Sequence, residues 1–330
     1  MNAESSPSAP SGPSGTAGQS GAAGTAGPAF GPGATGPARF RGVGVALITP
    51  FKADGSLDLE RYEAHVERMI QGGVHVLVPC GTTGESATLS GAEQAEVIRA
   101  AVSAAAGRVP VMAGAGANST AEAVQRAEAA RKAGADAVMS VGPYYNKPPQ
   151  EGLFRHFEAV ARAAELPLFV YNVPGRTASN ILPETILRLA AIDNVWGVKE
   201  ASGDLAQIAT ILKRRPEGFL VHAGDDEFTL PVAALGGDGV VSVAGNEDPA
   251  GMARLAEACL RGDAEAARAE HFRLLELMRV NFVETNPVPV KTGVELLGHG
   301  TAHFRLPLVP MGAAGRARLE AILGELDLLP

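Results

Sequence analysis

Cysteine is nearly missing from this chain: its 330 residues hold two, Cys80 and Cys259, in no metal-ligand or redox spacing. A disulfide framework is thereby excluded and a reducing compartment expected. Long hydrophobic runs are missing too. No apolar stretch approaches the ~20 residues that cross a bilayer, and the N-terminus lacks the basic-then-apolar layout of a signal peptide. Nor is there an excess of positive charge, since the formal net charge is −8 with a pI near 5.5. That sign opposes a nucleic-acid or acidic-membrane surface and leaves small anionic substrates to local sites. The expectation is a soluble, cytoplasmic protein with no nucleic acid and no membrane among its partners.

Hydrophobic residues make up 46% of the chain, enough for a sizeable core. Residues 1–38 are a different material: almost entirely Gly, Ala, Ser, Pro and Thr, with Glu4 the only charge and Phe30 the only aromatic. Glycine recurs every third residue from Gly12 to Gly27, but the run is short and poor in proline for a triple helix. A disordered tail is expected, because nothing in it offsets the entropy of ordering.

From Arg41 the pattern alternates. Short β-rich apolar runs lead through polar or glycine turns into amphipathic, alanine-rich segments. Eight runs read as strands: Val43–Thr49, Val74–Val78, Val109–Ala113, Ala137–Val141, Leu168–Tyr171, Val195–Lys199, Leu220–Ala223 and Val240–Ala244. Between them lies helix punctuation. Ser90 and Glu93 have capping-box spacing, Gly72-Gly73, Gly107 and Gly134 read as left-handed stops, and Pro183 suits a first helical turn. Eight strand–helix units predict an α/β chain folded as a (β/α)8 TIM barrel over residues 39–262. No complete Gly-x-Gly-x-x-Gly follows the first strand, against a dinucleotide fold. Ala264–Val280, Pro287–Leu297 and Gly315–Leu326 read as helices, giving a small C-terminal helical domain over 263–330.

The chemistry of such barrels sits where strands end. Lys199 closes one apolar run, and a buried ammonium is costly unless it works or is paired. Desolvation frees the neutral amine that attacks a carbonyl to form an imine; a salt bridge to Glu200 is the plainer alternative. Tyr171 ends the preceding strand, as proton shuttle or core aromatic. Gly81-Thr82-Thr83-Gly84 can cradle a carboxylate with backbone N–H groups and two hydroxyls, or merely turn into the next helix. Arg176, in a Pro-Gly turn, is a fork suited to a second carboxylate or a plain loop arginine.

Gly81-Thr82-Thr83-Gly84-Glu85, Tyr144-Tyr145-Asn146, Tyr171-Asn172-Val173-Pro174-Gly175-Arg176-Thr177 and Val198-Lys199-Glu200 stand in this order. Over about residues 41–330 the chain thereby resembles the pyruvate-dependent class I aldolases, the N-acetylneuraminate lyase family. The resemblance implies that Lys199 forms a Schiff base with pyruvate. It implies a proton relay of Tyr171, Thr82 and Tyr145, the last from a neighbouring subunit, with Thr83 and the peptide beside Val241 holding the pyruvyl group. Arg176 would bind the carboxylate of L-aspartate 4-semialdehyde, since sialic-acid lyases typically lack arginine there. The reaction implied is the pyruvate–semialdehyde condensation of diaminopimelate and lysine biosynthesis. No cofactor beyond the covalent pyruvate imine is implied, and the assembly expected is a homotetramer built from tight dimers.

Lysine-inhibited members bind lysine between two subunits, and the matching Ser86, Ala87, Asn118, Glu122 and Tyr144 are kept here. Two positions often histidine in inhibited enzymes are Gly91 and Gln94, so feedback stays open. A sister aldolase for sugar-derived 2-keto acids and a non-catalytic barrel sensor remain as alternatives. Cys80 reads as a buried small hydrophobe. His299 and His303 fall in a glycine-flanked loop rather than on a metal-binding helix face, and Asp225-Asp226-Glu227 reads as an acidic helix start. No metal is expected.

Overall fold

The computed structural model describes residues 34–330. The expected tail lies outside these described residues except at its end, where Gly36–Phe40 form a 3-10 turn opened by Pro37.

Eight parallel strands follow: β1 Gly42–Ala46, β2 Val76–Val78, β3 Met112–Gly114, β4 Ala137–Val141, β5 Leu168–Asn172, β6 Val195–Glu200, β7 Leu220–Ala223 and β8 Gly239–Ser242. Their order is β2-β1-β8-β7-β6-β5-β4-β3. A parallel bridge between Leu77 and Val111 joins β2 to β3 and closes the barrel. The expected first run ends early: the Leu47 N–H still reaches the Val78 carbonyl of β2, but Ile48 and Thr49 leave the sheet. There the Ile48 N–H donates to the Asn246 side chain and the Thr49 hydroxyl to the Gly84 carbonyl.

Alternation along the strands sorts the core into two layers. Val76, Val78, Met139, Phe169, Tyr171 and Val241 belong to an inner cluster, whereas Leu77, Val138, Leu168, Val170 and Val240 belong to an outer one shared with the helices. Phe40 joins the inner cluster at its floor, with its ring 5.3 Å from Phe169 and 6.2 Å from Trp196 between centroids. The His222 ring reaches the Phe40 carbonyl at 2.7 Å. The 3-10 turn therefore belongs to the barrel, as its floor.

The helices are α1 Leu59–Gln71, α2 Gly91–Ala105, α3 Thr120–Lys132, α4 Gln150–Ala164, α5 Pro174–Thr177, α6 Pro183–Leu189, α7 Leu205–Arg214, α8 Thr229–Ala234, α9 Pro249–Arg261, α10 Ala264–Val280, α11 Val288–Leu296 and α12 Ala313–Glu325. The α2 capping box forms as read, with Ser90 and Glu93 satisfying each other's backbone donors. Gly73, Gly107 and Gly134 are left-handed with φ of +82°, +73° and +93°. Gly72 is not: it stays right-handed at φ −75°. Among the described residues no helix is long and apolar enough to cross a membrane. The last three helices do not stand apart from the barrel, because α10 packs on α9 and α11 reaches the strand exits.

Candidate active site

Strand register brings Tyr171 of β5 and Lys199 of β6 side by side. The Lys199 ammonium lies 4.2 Å from the centre of the Tyr171 ring. Lys199 is only 6% exposed, and no ion pair or hydrogen bond among the described residues holds it. The expected alternative, a bridge to Glu200, is not formed. Successive residues of a strand face opposite sides, so Glu200 points away, accepting from Asn172 Nδ2, the Ser202 N–H and Gln207 Nε2. Burial lowers the Lys199 pKa to about 8, with Asp225 and Asp226 pulling the other way.

The residues after β2 turn sharply through Cys80, at φ +56°, and Glu85, at φ +53°. Within the turn Gly84 N–H donates to the Gly81 carbonyl and Glu85 N–H to that of Thr82. Gly84 fits closely: a Cβ there would stand 3.0 Å from the Leu47 carbonyl oxygen, so its neighbours would have to give by a few tenths of an ångström. The Thr82 side chain hydrogen-bonds Tyr171, whose phenol is pushed above its usual range by burial. Lysine, phenol and threonine hydroxyl thus form one contiguous row. The Cys80 thiol is buried and pushed up to about 12, the behaviour of a packed hydrophobe.

Thr82 links this row to a cavity of about 320 Å³ whose wall also includes Ser86, Ala87, Tyr144, Arg176 and Arg126, while Lys199 and Tyr171 lie outside its lining. Arg176, on the short α5, is exposed at this mouth. Asn118 and Glu122 do not line it: the Asn118 carbonyl accepts from Asn146, and Glu122 pairs with Arg126. Gln94 is buried and spends its amide on the Ser86 and Leu89 carbonyls. Tyr145 is 89% exposed with φ +74°, turned outward from its own chain. Val241 belongs to the inner cluster with Tyr171. Asp226 accepts from the Val243 and Ala244 N–H groups and so pins the end of β8.

Residues 39–326 match the Dihydrodipicolinate synthetase family. The chain belongs to that family. It is 50% identical over 292 residues to the 4-hydroxy-tetrahydrodipicolinate synthase of Koribacter versatilis, covering 88% of this chain and 97% of that one. Dihydrodipicolinate synthase from Aquifex aeolicus superposes with a TM-score of 0.86 at 44% identity, over 88% of this chain and 99% of that one. The chloride-inhibited dihydrodipicolinate synthase of Acinetobacter baumannii, solved in complex with pyruvate, gives 0.86 at 39% identity over 88% and 99%.

The family match runs through the C-terminal region, where helix α11 and the connections on either side of it hold the residues that sequence reading missed. Asn286 Nδ2 donates to Thr83 Oγ1 at 3.0 Å. Lys291 on α11 is fully buried and donates to Glu85 Oε1 at 2.6 Å, to the Thr49 carbonyl at 3.0 Å and to the His303 carbonyl at 2.6 Å. Arg305 grips Glu93 through both terminal nitrogens and donates to the Thr88 carbonyl. One signal for Lys291 was present: like Lys199, it is an ammonium inside an apolar run.

Proposed function

We propose that this chain condenses pyruvate with L-aspartate 4-semialdehyde to 4-hydroxy-tetrahydrodipicolinate, a lyase reaction at the first committed step of diaminopimelate and lysine biosynthesis. The carrying observation is the buried Lys199 amine, unpaired and in register with Tyr171. Its neutral form attacks the pyruvate carbonyl carbon; the carbinolamine then loses water to give the imine. Loss of a methyl proton yields the enamine, whose terminal carbon bonds to the aldehyde carbon. The aldehyde oxygen takes up a proton and becomes the 4-hydroxyl. The amino group of the semialdehyde portion then displaces Lys199 from the imine carbon and closes the ring.

Tyr171 and Thr82 carry protons to and from these intermediates, supported by their hydrogen bond beside the lysine. Thr83 and the Val241 peptide hold the pyruvyl group, and Arg176 binds the semialdehyde carboxylate at the cavity mouth. Tyr145 completes the relay of a neighbouring subunit in a homotetramer of tight dimers, a role supported by its outward exposure. Residues 39–262 are the catalytic barrel and 263–330 the helical domain, in a cytoplasmic enzyme. Free lysine binds at a two-subunit site including Ser86, Ala87, Asn118, Glu122 and Tyr144; an unchanged rate at millimolar lysine removes this part.

Borohydride reduction in the presence of pyruvate is expected to add a stable mass at Lys199, and a coupled assay to show turnover with aspartate semialdehyde. An adduct elsewhere, or none, refutes the mechanism. Faster turnover with sugar aldehydes would favour a sister aldolase, which Arg176 opposes.

A further inference from the structure

The cradle after β2 is held from behind by the C-terminal helices. Lys291 satisfies its three ammonium protons with Glu85, Thr49 and His303 oxygens. Its ammonium also lies between two aromatic rings, 4.4 Å from the centre of Phe51 and 4.9 Å from that of Phe304. Both members of the ion pair have side chains with no exposure. Glu85 is the residue that closes the turn, in a left-handed conformation that a non-glycine residue rarely adopts. Such strain persists only where surroundings impose it. Lys291 supplies that constraint, and so does the Arg305 N–H, which donates to the other Glu85 oxygen at 3.4 Å.

A second tether acts on the hydroxyl itself. Asn286 Nδ2 donates to Thr83 Oγ1. The hydroxyl proton must then point elsewhere, which leaves it free to donate to a ligand held at the turn, beside the cavity that Asn286 and Thr82 line. No barrel residue makes either contact; both come from the segment that follows α10.

We propose that Lys291 and Glu85 form a buried clamp through which the C-terminal domain sets the Thr82–Thr83 turn in its keto-acid-holding geometry. Lys291 and Glu85 are positioning residues, and Asn286 is the second tether of the same device. The proposal rests on the reading of this turn as the pyruvate cradle. The cradle binds pyruvate before and during reaction, so loosening it removes binding common to both and appears mainly in KM.

The test uses Lys291→Met and the charge-neutral pair Lys291→Met with Glu85→Gln. The single variant strands a buried carboxylate and is expected to lose Tm; the double variant regains part of that loss. Both are assayed where circular dichroism shows them fully folded. The pyruvate KM, and the pyruvate concentration for half-maximal borohydride trapping, are expected to rise on the order of tenfold in each variant. The semialdehyde KM, set at Arg176, is expected to stay within about twofold. A folded double variant with the wild-type pyruvate KM overturns the clamp, as does an equal rise in both KM values. If neither variant folds, Asn286→Ala carries the test with the same expected split, and an unchanged pyruvate KM overturns it. Failure of the wild-type chain to form a pyruvate adduct would refute the cradle reading itself, and is seen before any variant is made.

Discussion

Two lysines are buried in this molecule, and their surroundings give them opposite work. Lys291 meets three oxygens, one of them a carboxylate's; Lys199 meets an aromatic face and no acceptor. A pKa of about 8 leaves about one Lys199 amine in ten neutral at pH 7, against roughly one in three thousand for an ordinary lysine. The rate of imine formation should therefore climb with pH and level off above about 8, read as the pyruvate-dependent trapping rate. The same burial destabilises the fold. A folded-state pKa below the unfolded 10.5 means a penalty that is full below pH 8 and fades as pH rises toward 10.5. Lys199→Met should abolish trapping yet raise stability at pH 7 by up to roughly 3 kcal/mol, with the gain shrinking above pH 8 in urea titrations. A variant that is inactive but no more stable would contradict this account of the amine. One rule of residue chemistry was enough to single out Lys199 in the sequence, because its run ends at a strand exit. The same rule applied to Lys291, but its partner Glu85 is 206 residues away, and no spacing reveals such a pair.

At the scale of elements, the strands were legible because β-branched runs alternate with capped helices, and six of eight runs begin at the observed first or second residue. The ends were less legible. Where a strand stops depends on which carbonyl the next N–H finds, and at Ile48 and Thr49 the partners are Asn246 and Gly84. Close approaches between elements were also hidden. A Cβ on Gly114 at the end of β3 would stand 2.1 Å from the Cys80 carbonyl oxygen. Gly114→Ala must therefore push the β2 exit aside, two residues before Thr82. Overpacking of this kind costs about 1–3 kcal/mol, and a drop in kcat/KM for pyruvate is expected with it. Gly91 is the contrasting case. It opens α2 with nothing within 4 Å of its Cβ direction, so Gly91→Ala should leave activity intact and stabilise by about 0.4–1 kcal/mol. Paired urea melts and steady-state assays check both; similar behaviour of the two alanines would deny the approach between β2 and β3 its importance.

At the scale of the whole molecule, the site is assembled from distant parts of the chain, and one proposed part does not come from the same chain at all. Tyr145 holds a left-handed backbone and stands 89% exposed, a costly way to present an aromatic ring unless something receives it. In a two-fold dimer each chain lends what it receives, so two different lesions can compensate. Tyr145→Phe keeps Lys199 but lends a defective relay; Lys199→Met keeps Tyr145 but cannot form an imine. Each variant alone should be nearly inactive. Mixed under denaturing conditions and refolded together, random pairing makes half of the dimers hybrid, each with one whole site of two. About a quarter of wild-type activity should return, which a ping-pong assay on the refolded mixture measures directly. If Tyr145 served its own chain, no hybrid would contain a whole site and the mixture would stay inactive. Mass photometry on the same mixture separates that outcome from failed assembly, since only the first leaves oligomers of normal mass without activity.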